Sequence, residues 1–181
     1  SGADFSGATL SRTDLRETVL KGARLTFAKL SDAMLSGADL SEADLGSSTL
    51  YDAKMIGVNL QGASLKGAKG GHVDLRGSDL SRADLRGVDL SFINLNESTL
   101  DGANLEGADL EYGSLERARL RGANLQGAKL PPLDSMRGAD LTGAVLCGLD
   151  LRRVDILRQE VGNVGRDLER VAQDLLAVEA A

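Results

Sequence analysis

Leucine returns at every fifth position over most of the chain. Between Phe5 and Leu130, 26 residues have numbers divisible by five; 23 of them are leucine, and the exceptions are Phe5, Met55 and Gly70. A small or β-branched residue mostly precedes each of these positions by two, glycine follows by two in 12 of the pentads, and the residues between are mostly polar. A period of five fits neither an α-helix, with about 3.6 residues per turn, nor a strand, whose side chains alternate.

A five-residue unit of this kind fits a short strand followed by a corner. Residues two apart in a strand point the same way, so the small residue and the leucine both face inward. Glycine then supplies the backbone freedom that the corner needs. Repeated units form a coil, and stacked coils pair as parallel strands about 4.8 Å apart. The pattern therefore predicts an all-β solenoid stabilised by contacts between neighbouring coils, although the period alone does not determine how many units make a coil.

The segments ADLSEADL, ANLEGADL, GANLQGAKL and SRADLRGVDL resemble the A(D/N)LXX motif of the pentapeptide repeat family. The resemblance covers residues 1–156 and implies a right-handed parallel quadrilateral β-helix with four pentads to a coil, hence about eight coils. It also implies that residues twenty apart in sequence stack directly on one another.

Two features interrupt the pentads. Gly70 takes the place of an inward leucine, which predicts a bulge or kink there. At 131–137, Pro131 and Pro132 coincide with a slip of one residue, after which leucines resume at Leu141. We interpret the slip as a corner insertion or a local loop.

The repeat ends after residue 156, and a helical stripe follows. Its apolar positions are Leu157, Val161, Val164, Leu168, Val171, Leu175 and Val178. Their alternating spacing of four and three predicts an amphipathic C-terminal α-helix over residues 157–181. We expect it to cap the open end of the solenoid, and a second expectation is that this region joins two copies as a homodimer. At the other end SGADF begins in register, so we expect further residues upstream.

Composition and charge narrow the range of possible functions. A net charge of −6 argues against nucleic acid as a partner, because phosphate binding needs a cluster of Lys and Arg. No apolar run is long enough to span a membrane, and the absence of a signal peptide favours a cytoplasmic location. We find no catalytic or cofactor-binding motif, and a rod filled with Leu and Ala offers no deep pocket. We therefore predict a protein that is not an enzyme and needs no cofactor.

His72 and Cys147 are single residues of their type. A metal site gathers several ligands, and His72 has only Asp74 close to it in sequence. A nucleophilic cysteine needs an activating base, and the pentad of Cys147 contains none. We interpret both as ordinary surface residues.

The stretch STLDGANLEGADLEYGSLE carries five carboxylates and no Lys or Arg. Under four pentads per coil, its acids fall on different sides of the rod and cannot converge on one ion. Predicted stacking also places bases beside several acids, as Glu97 with Arg117, Asp101 with Arg121, and Glu106 with Arg86. Asp89 and Asp109 stack on each other, with Lys69 below and Lys129 above. These columns favour charge ladders over a metal or catalytic site.

One corner column differs from the others, since it runs Asp32, Asp52, His72, Phe92, Tyr112. Its aromatic part, with neighbouring acids, gives a candidate partner-binding site consisting of Asp89, Phe92, Asp109, Glu111 and Tyr112. Exposed aromatic residues suit a protein interface, but stacked rings also stabilise neighbouring coils, and both interpretations stay open.

The favoured function is thus a non-catalytic scaffold that binds a protein partner through its flat faces. The alternative, implied by the family resemblance, is a DNA mimic that binds DNA gyrase or topoisomerase IV and confers inhibitor resistance. Those mimics often carry Phe at the central position of the pentad, whereas this chain carries Leu.

Overall fold

The computed structural model describes residues 2–149. They form a parallel β-solenoid in which the residue before each inward position makes a single β-bridge to the coil above and the coil below. The bridges join residues twenty apart, from Asp4↔Arg24 to Asp109↔Lys129. Twenty residues are four pentads, so the predicted four-sided coil is confirmed, and the described residues make about seven coils.

Backbone hydrogen bonds run between coils on every side and also close the corners. At one position, Leu30 N–H donates to the carbonyl of Thr49 at 2.7 Å, and Lys29 N–H donates to the carbonyl of Ala8 at 2.9 Å. The corner that follows is closed by Ala33 N–H, which donates to the Leu30 carbonyl at 3.0 Å. The coil thus satisfies its backbone polar groups although no strand among residues 2–149 is longer than one bridge.

The core is a set of stacked columns of leucine and alanine. From Ala23 to Leu125 the buried apolar side chains are at most 2% exposed. Each buried leucine stabilises the fold by roughly 1.5–3 kcal/mol relative to an exposed one. Because this burial comes from the coils above and below, the core needs no central aromatic residue.

The sequence predicts a bulge or kink at Gly70; the register of the solenoid continues through it without a bulge, and the corner alone is irregular. Thr49, Lys69 and Asp89 remain bridged twenty apart on either side of it. The change is confined to the corner, where the N–H of Val73 does not make the corner bond that Ala33 and its equivalents make. A Cβ at Gly70 would lie only 2.9 Å from the carbonyl carbon of Leu50. The backbone has therefore moved into the space that a leucine would fill.

The predicted slip is confirmed, because the bridge interval changes from twenty to twenty-one residues at Arg119↔Asp140. After Pro132, a 3-10 helix spans Leu133–Met136. Met136 is fully buried and Leu133 is 6% exposed. The insertion is thus more than a surface loop: Met136 supplies the inward side chain of its coil, and the short helix turns Leu133 inward as well.

The C-terminal helix predicted for residues 157–181, with its stripe from Leu157 to Val178, lies outside the described residues. The same holds for the boundary placed at residue 156. Within residues 2–149 no helix is long and apolar enough to cross a membrane.

Candidate functional site

Three rings stack on one corner of the solenoid. His72 and Phe92 have ring centroids 4.9 Å apart with planes inclined by 21°, and Phe92 and Tyr112 are 5.0 Å apart with planes inclined by 18°. Phe92 is 48% exposed and Tyr112 is 61% exposed. We call these three residues the aromatic ladder. Phe92 and Tyr112 stack as the twenty-residue interval predicts, and the ring of His72, which precedes them in the same predicted column, joins the stack.

The ladder stands on strained backbone. The corner residue of each regular pentad up to residue 130 has a positive φ, and on the other three corners glycine recurs at this position. On the ladder corner no glycine occurs; its residues are Arg12, Asp32, Asp52, His72, Phe92 and Tyr112, with φ from 58° to 62°. The left-handed conformation costs a non-glycine residue roughly 1–2 kcal/mol. Strain retained over six successive coils motivates a functional hypothesis.

Acidic side chains flank the ladder on one side. Asp109 accepts a hydrogen bond from Lys129 Nζ at 2.6 Å and another from the backbone N–H of Glu111 at 3.1 Å. The bond with Asp109 is the main reason that the pKa of Lys129 is raised. Glu111 is joined to the ladder through its carbonyl, which accepts from Phe92 N–H at 2.9 Å. The structure thus brings all five predicted site residues together on two adjacent coils.

Asp89 differs from the residues at equivalent positions. Every other Asp or Asn at a bridge position accepts a hydrogen bond from the backbone N–H two residues later: Asp4, Asp14, Asp39, Asp44, Asn59, Asp74, Asp79, Asp84, Asn94, Asn104, Asp109, Asn124 and Asp140. Within residues 2–149, the Asp89 carboxylate accepts neither this bond nor a bond from a side chain. Sequence reasoning could not find this feature, because the residue type at the position is the usual one.

Tyr51 adds a fourth aromatic ring near the ladder. It is 46% exposed, and a Cβ on Gly71 would lie 3.9 Å from its Cδ1 atom. The ring of Tyr51 therefore lies beside Gly71, which immediately precedes His72.

Most acids elsewhere are paired with bases. In two of the predicted columns the charges attract as expected, but each guanidinium forms its hydrogen bond with a different carboxylate. That bond is the main reason that the pKa values of Arg121 and Arg86 are raised, and Asp101 and Glu106, respectively, raise them further. Glu97 and Arg117 pair as predicted, at 3.5 Å. Asp101 binds the side chain of Arg119 and only the backbone N–H of Arg121. The Arg121 guanidinium donates instead to Asp140 at 2.5 Å, which lies one coil further on.

Glu106 attracts Arg86 electrostatically, as predicted, but the hydrogen bonds of that guanidinium go to another acid. Arg86 binds Asp84 with both Nε and a terminal nitrogen, at 2.8 and 2.6 Å. Asp84 is two residues from Arg86 in the same pentad, whereas Glu106 lies on the next coil, so the guanidinium binds Asp84.

No group of three potential metal ligands is found within residues 2–149. His72 contributes a ring to the ladder, and Cys147 is exposed. The described side chains thus offer an aromatic and acidic surface.

Comparison with known proteins places this geometry in context. The family model for pentapeptide repeats matches the chain in eight copies, over residues 1–37, 33–69, 71–102 and 99–131. HetL, a pentapeptide repeat protein involved in heterocyst differentiation regulation from the cyanobacterium Nostoc, is 33% identical over 83% of this chain and 84% of its own, with a TM-score of 0.42.

Two trypsin-treated forms of QnrB1, a plasmid-mediated fluoroquinolone resistance protein, are each 20% identical. One covers 96% of this chain and 94% of its own with a TM-score of 0.56, and the other covers 97% and 92% with a TM-score of 0.55. At this identity the likeness shows a shared fold. No similar sequence was found among curated proteins.

Proposed function

Because the chain belongs to the pentapeptide repeat family, we propose that it is a non-catalytic scaffold that binds a protein partner through the aromatic ladder and its acidic flank. Members of this family form right-handed quadrilateral β-helices. Such a rod presents side chains from successive coils in fixed columns, and a column can serve as a binding surface without any moving part.

The observation that carries the proposal is the exposure of stacked aromatic rings on strained backbone. Phe92 is 48% exposed although both of its neighbours on the corner are rings. Exposed aromatic side chains that are rigidly held are typical anchors of protein interfaces, because they bury large apolar areas at little entropic cost. Stacking alone would stabilise the coils equally well on a corner of any composition, whereas the acidic flank gives this corner a chemical character of its own.

The test is capture of partners on immobilised protein. The double variant Phe92→Ala/Tyr112→Ala is compared with the wild type, and bound proteins are identified by mass spectrometry. Phe27→Ala is the matched control, since Phe27 is 69% exposed at a corner with φ of 59° but lies outside the ladder. We expect the ladder variant to lose partners that the control retains. An unchanged set of partners would exclude this surface as the binding site.

The second candidate is the DNA mimic that binds DNA gyrase or topoisomerase IV. The net charge of −6 and the rod-like fold support it. The ion pairs count against it, since Glu97, Asp101 and Asp109 each bind an Arg or Lys and exposed paired charges give only a weak field. A gyrase supercoiling assay separates the two: inhibition at micromolar protein supports the mimic, and no inhibition excludes it.

Dimerisation through the C-terminal region is a separate proposal, supported by the apolar stripe of residues 157–181. Sizing the full chain against a chain that ends at residue 156 tests it. A dimer that becomes a monomer on truncation is the expected result, and two monomers would leave the stripe as a cap only.

A further inference from the structure

We propose that the partner docks a cationic segment, whose Arg or Lys is bound by the Asp89 carboxylate while its aliphatic stem packs along the ring edges of the aromatic ladder. The inference rests on the proposed scaffold function and names the chemistry of the partner. Three observations support it: the available Asp89 carboxylate, the three stacked rings, and the charge of the side chains around them.

Asp89 is the acid on this surface that the fold leaves available. At the other bridge positions the carboxylate or amide is occupied by the backbone N–H two residues on, as in Asp109. Among the described residues Asp89 forms neither that bond nor an ion pair with Lys69, the cation below it in the same column. Its oxygens can therefore accept hydrogen bonds from an incoming guanidinium or ammonium group without breaking an existing contact.

The ladder determines where the rest of the cationic side chain lies. Both faces of Phe92 are covered, by His72 below and by Tyr112 above. Phe92 therefore turns only its ring edge to solvent, and a ring edge carries a slight positive charge that does not attract a cation. At Phe92 the charged group is then bound by the carboxylate, while the methylene groups of an Arg or Lys stem gain by covering the apolar ring edges.

The surrounding charge selects the sign of the partner. Three carboxylates, Asp89, Asp109 and Glu111, and two cations, Lys69 and Lys129, lie beside the ladder. Lys129 binds Asp109 and also interacts electrostatically with Glu111 and Asp89, and the three acids outnumber the two cations. An acidic segment would meet like charges here, and electrostatic complementarity favours a basic one.

The test uses three fluorescein-labelled peptides in which leucine alternates with arginine, with lysine or with glutamate. Binding to the full chain is measured by fluorescence anisotropy at low and at high salt. We expect the arginine and lysine peptides to bind, the glutamate peptide not to bind, and salt to weaken binding because exposed ion pairs are screened. Asp89→Asn should weaken binding by about threefold to tenfold, the effect of losing one partly exposed charged contact.

Matched controls separate a specific site from general attraction to an acidic protein. Asp79→Asn removes the same charge at an equivalent position of another side, where the carboxylate already accepts from Ser81 N–H at 2.9 Å. We expect Asp79→Asn to leave the dissociation constant of the cationic peptides unchanged. Phe27→Ala should also leave it unchanged, whereas Phe92→Ala should weaken binding. Equal effects of Asp89→Asn and Asp79→Asn would overturn the proposal, as would equal binding of the glutamate peptide.

The outcome also distinguishes this inference from the scaffold function itself. Captured partners that are lost in Phe92→Ala/Tyr112→Ala but retained in Asp89→Asn and at high salt would contradict the cationic segment and leave the scaffold intact. Partners that do not respond to the ring substitutions would contradict both.

Discussion

Two adjacent glycines, Gly70 and Gly71, allow a sharp test of how the solenoid accommodates a missing leucine. Neither has a positive φ, so backbone strain does not enter for either. A Cβ on Gly70 would lie 2.9 Å from the Leu50 carbonyl carbon and 3.0 Å from both Leu50 Cβ and Val73 Cγ2. A Cβ on Gly71 would meet nothing closer than 3.7 Å.

The two alanine substitutions should therefore change stability in opposite directions. Overpacking a closed site costs about 1–3 kcal/mol, and replacing glycine by alanine returns about 0.4–1 kcal/mol by restricting the unfolded chain. We expect Gly70→Ala to lower the free energy of unfolding by about 1–2 kcal/mol. Gly71→Ala, which meets only ordinary contacts, should raise it by about 0.4–1 kcal/mol.

Urea denaturation followed by circular dichroism measures both values, and amide hydrogen exchange at residues 70–73 shows whether the loss is local. Gly70→Leu provides the decisive variant, since it restores the sequence pattern of the pentad. Because the clash begins at Cβ, we expect it to destabilise as well. A stabilising Gly70→Leu, or equal effects of the two alanine variants, would show that the corner relaxes to the regular form and would refute the reasoning.

Three further predictions concern the core, the corners and the acids. Met136→Ala should lower the free energy of unfolding by about 2–5 kcal/mol, since it empties an inward position; a change below about 1 kcal/mol would place that side chain outside the core. Phe27→Gly should stabilise by about 0.5–1 kcal/mol, the relief of a left-handed corner less the entropy that glycine costs. Phe92→Gly should instead lower the free energy of unfolding by about 1 kcal/mol, because it also loses two ring contacts. Equal changes in Phe27→Gly and Phe92→Gly, measured by urea denaturation, would show that the ladder does not stabilise the fold. The pKa of Asp140 is lowered from 3.8 to about 2 by hydrogen bonds from a threonine hydroxyl and an arginine guanidinium. Its ionised form should therefore stabilise the fold fully above pH 4, and this contribution should be lost as the pH falls through about 2. Comparing the free energy of unfolding of wild type and Asp140→Asn across this range tests the sign.

The sequence predicted the frame of the molecule well because the frame depends on one repeated rule. Leu at every fifth residue predicts the inward column, and stacking at twenty residues then places Phe92 beside Tyr112. What it did not predict depends on choices between nearby partners. Arg86 has an acid within its own pentad, Asp84, and one on the next coil, Glu106, and in the structure its guanidinium binds Asp84.

Features that break the rule were also hard to interpret from the sequence. Gly70 looked like a bulge because a missing side chain does not reveal how the backbone closes the gap. Met136 went unrecognised because the inserted residue moved it off the multiples of five, and a 3-10 helix was needed to return it to the core. Asp89 carries the usual residue type, so its unusual hydrogen bonding leaves no trace in the pattern.

The interval of twenty residues has a consequence for how the chain can change in length. Deleting twenty residues removes one coil, shortens the rod by about 4.8 Å and returns every later side chain to its original corner. Deleting five residues between Phe92 and Tyr112 rotates everything downstream by a quarter turn, so Tyr112 would leave the corner of Phe92 and the ladder would be interrupted. A single extra residue does neither, since Asp140 still bridges Arg119 after the insertion. The columns on the surface thus survive the loss of a whole coil or the insertion of a single residue. The loss of one pentad instead moves every later residue to a different corner.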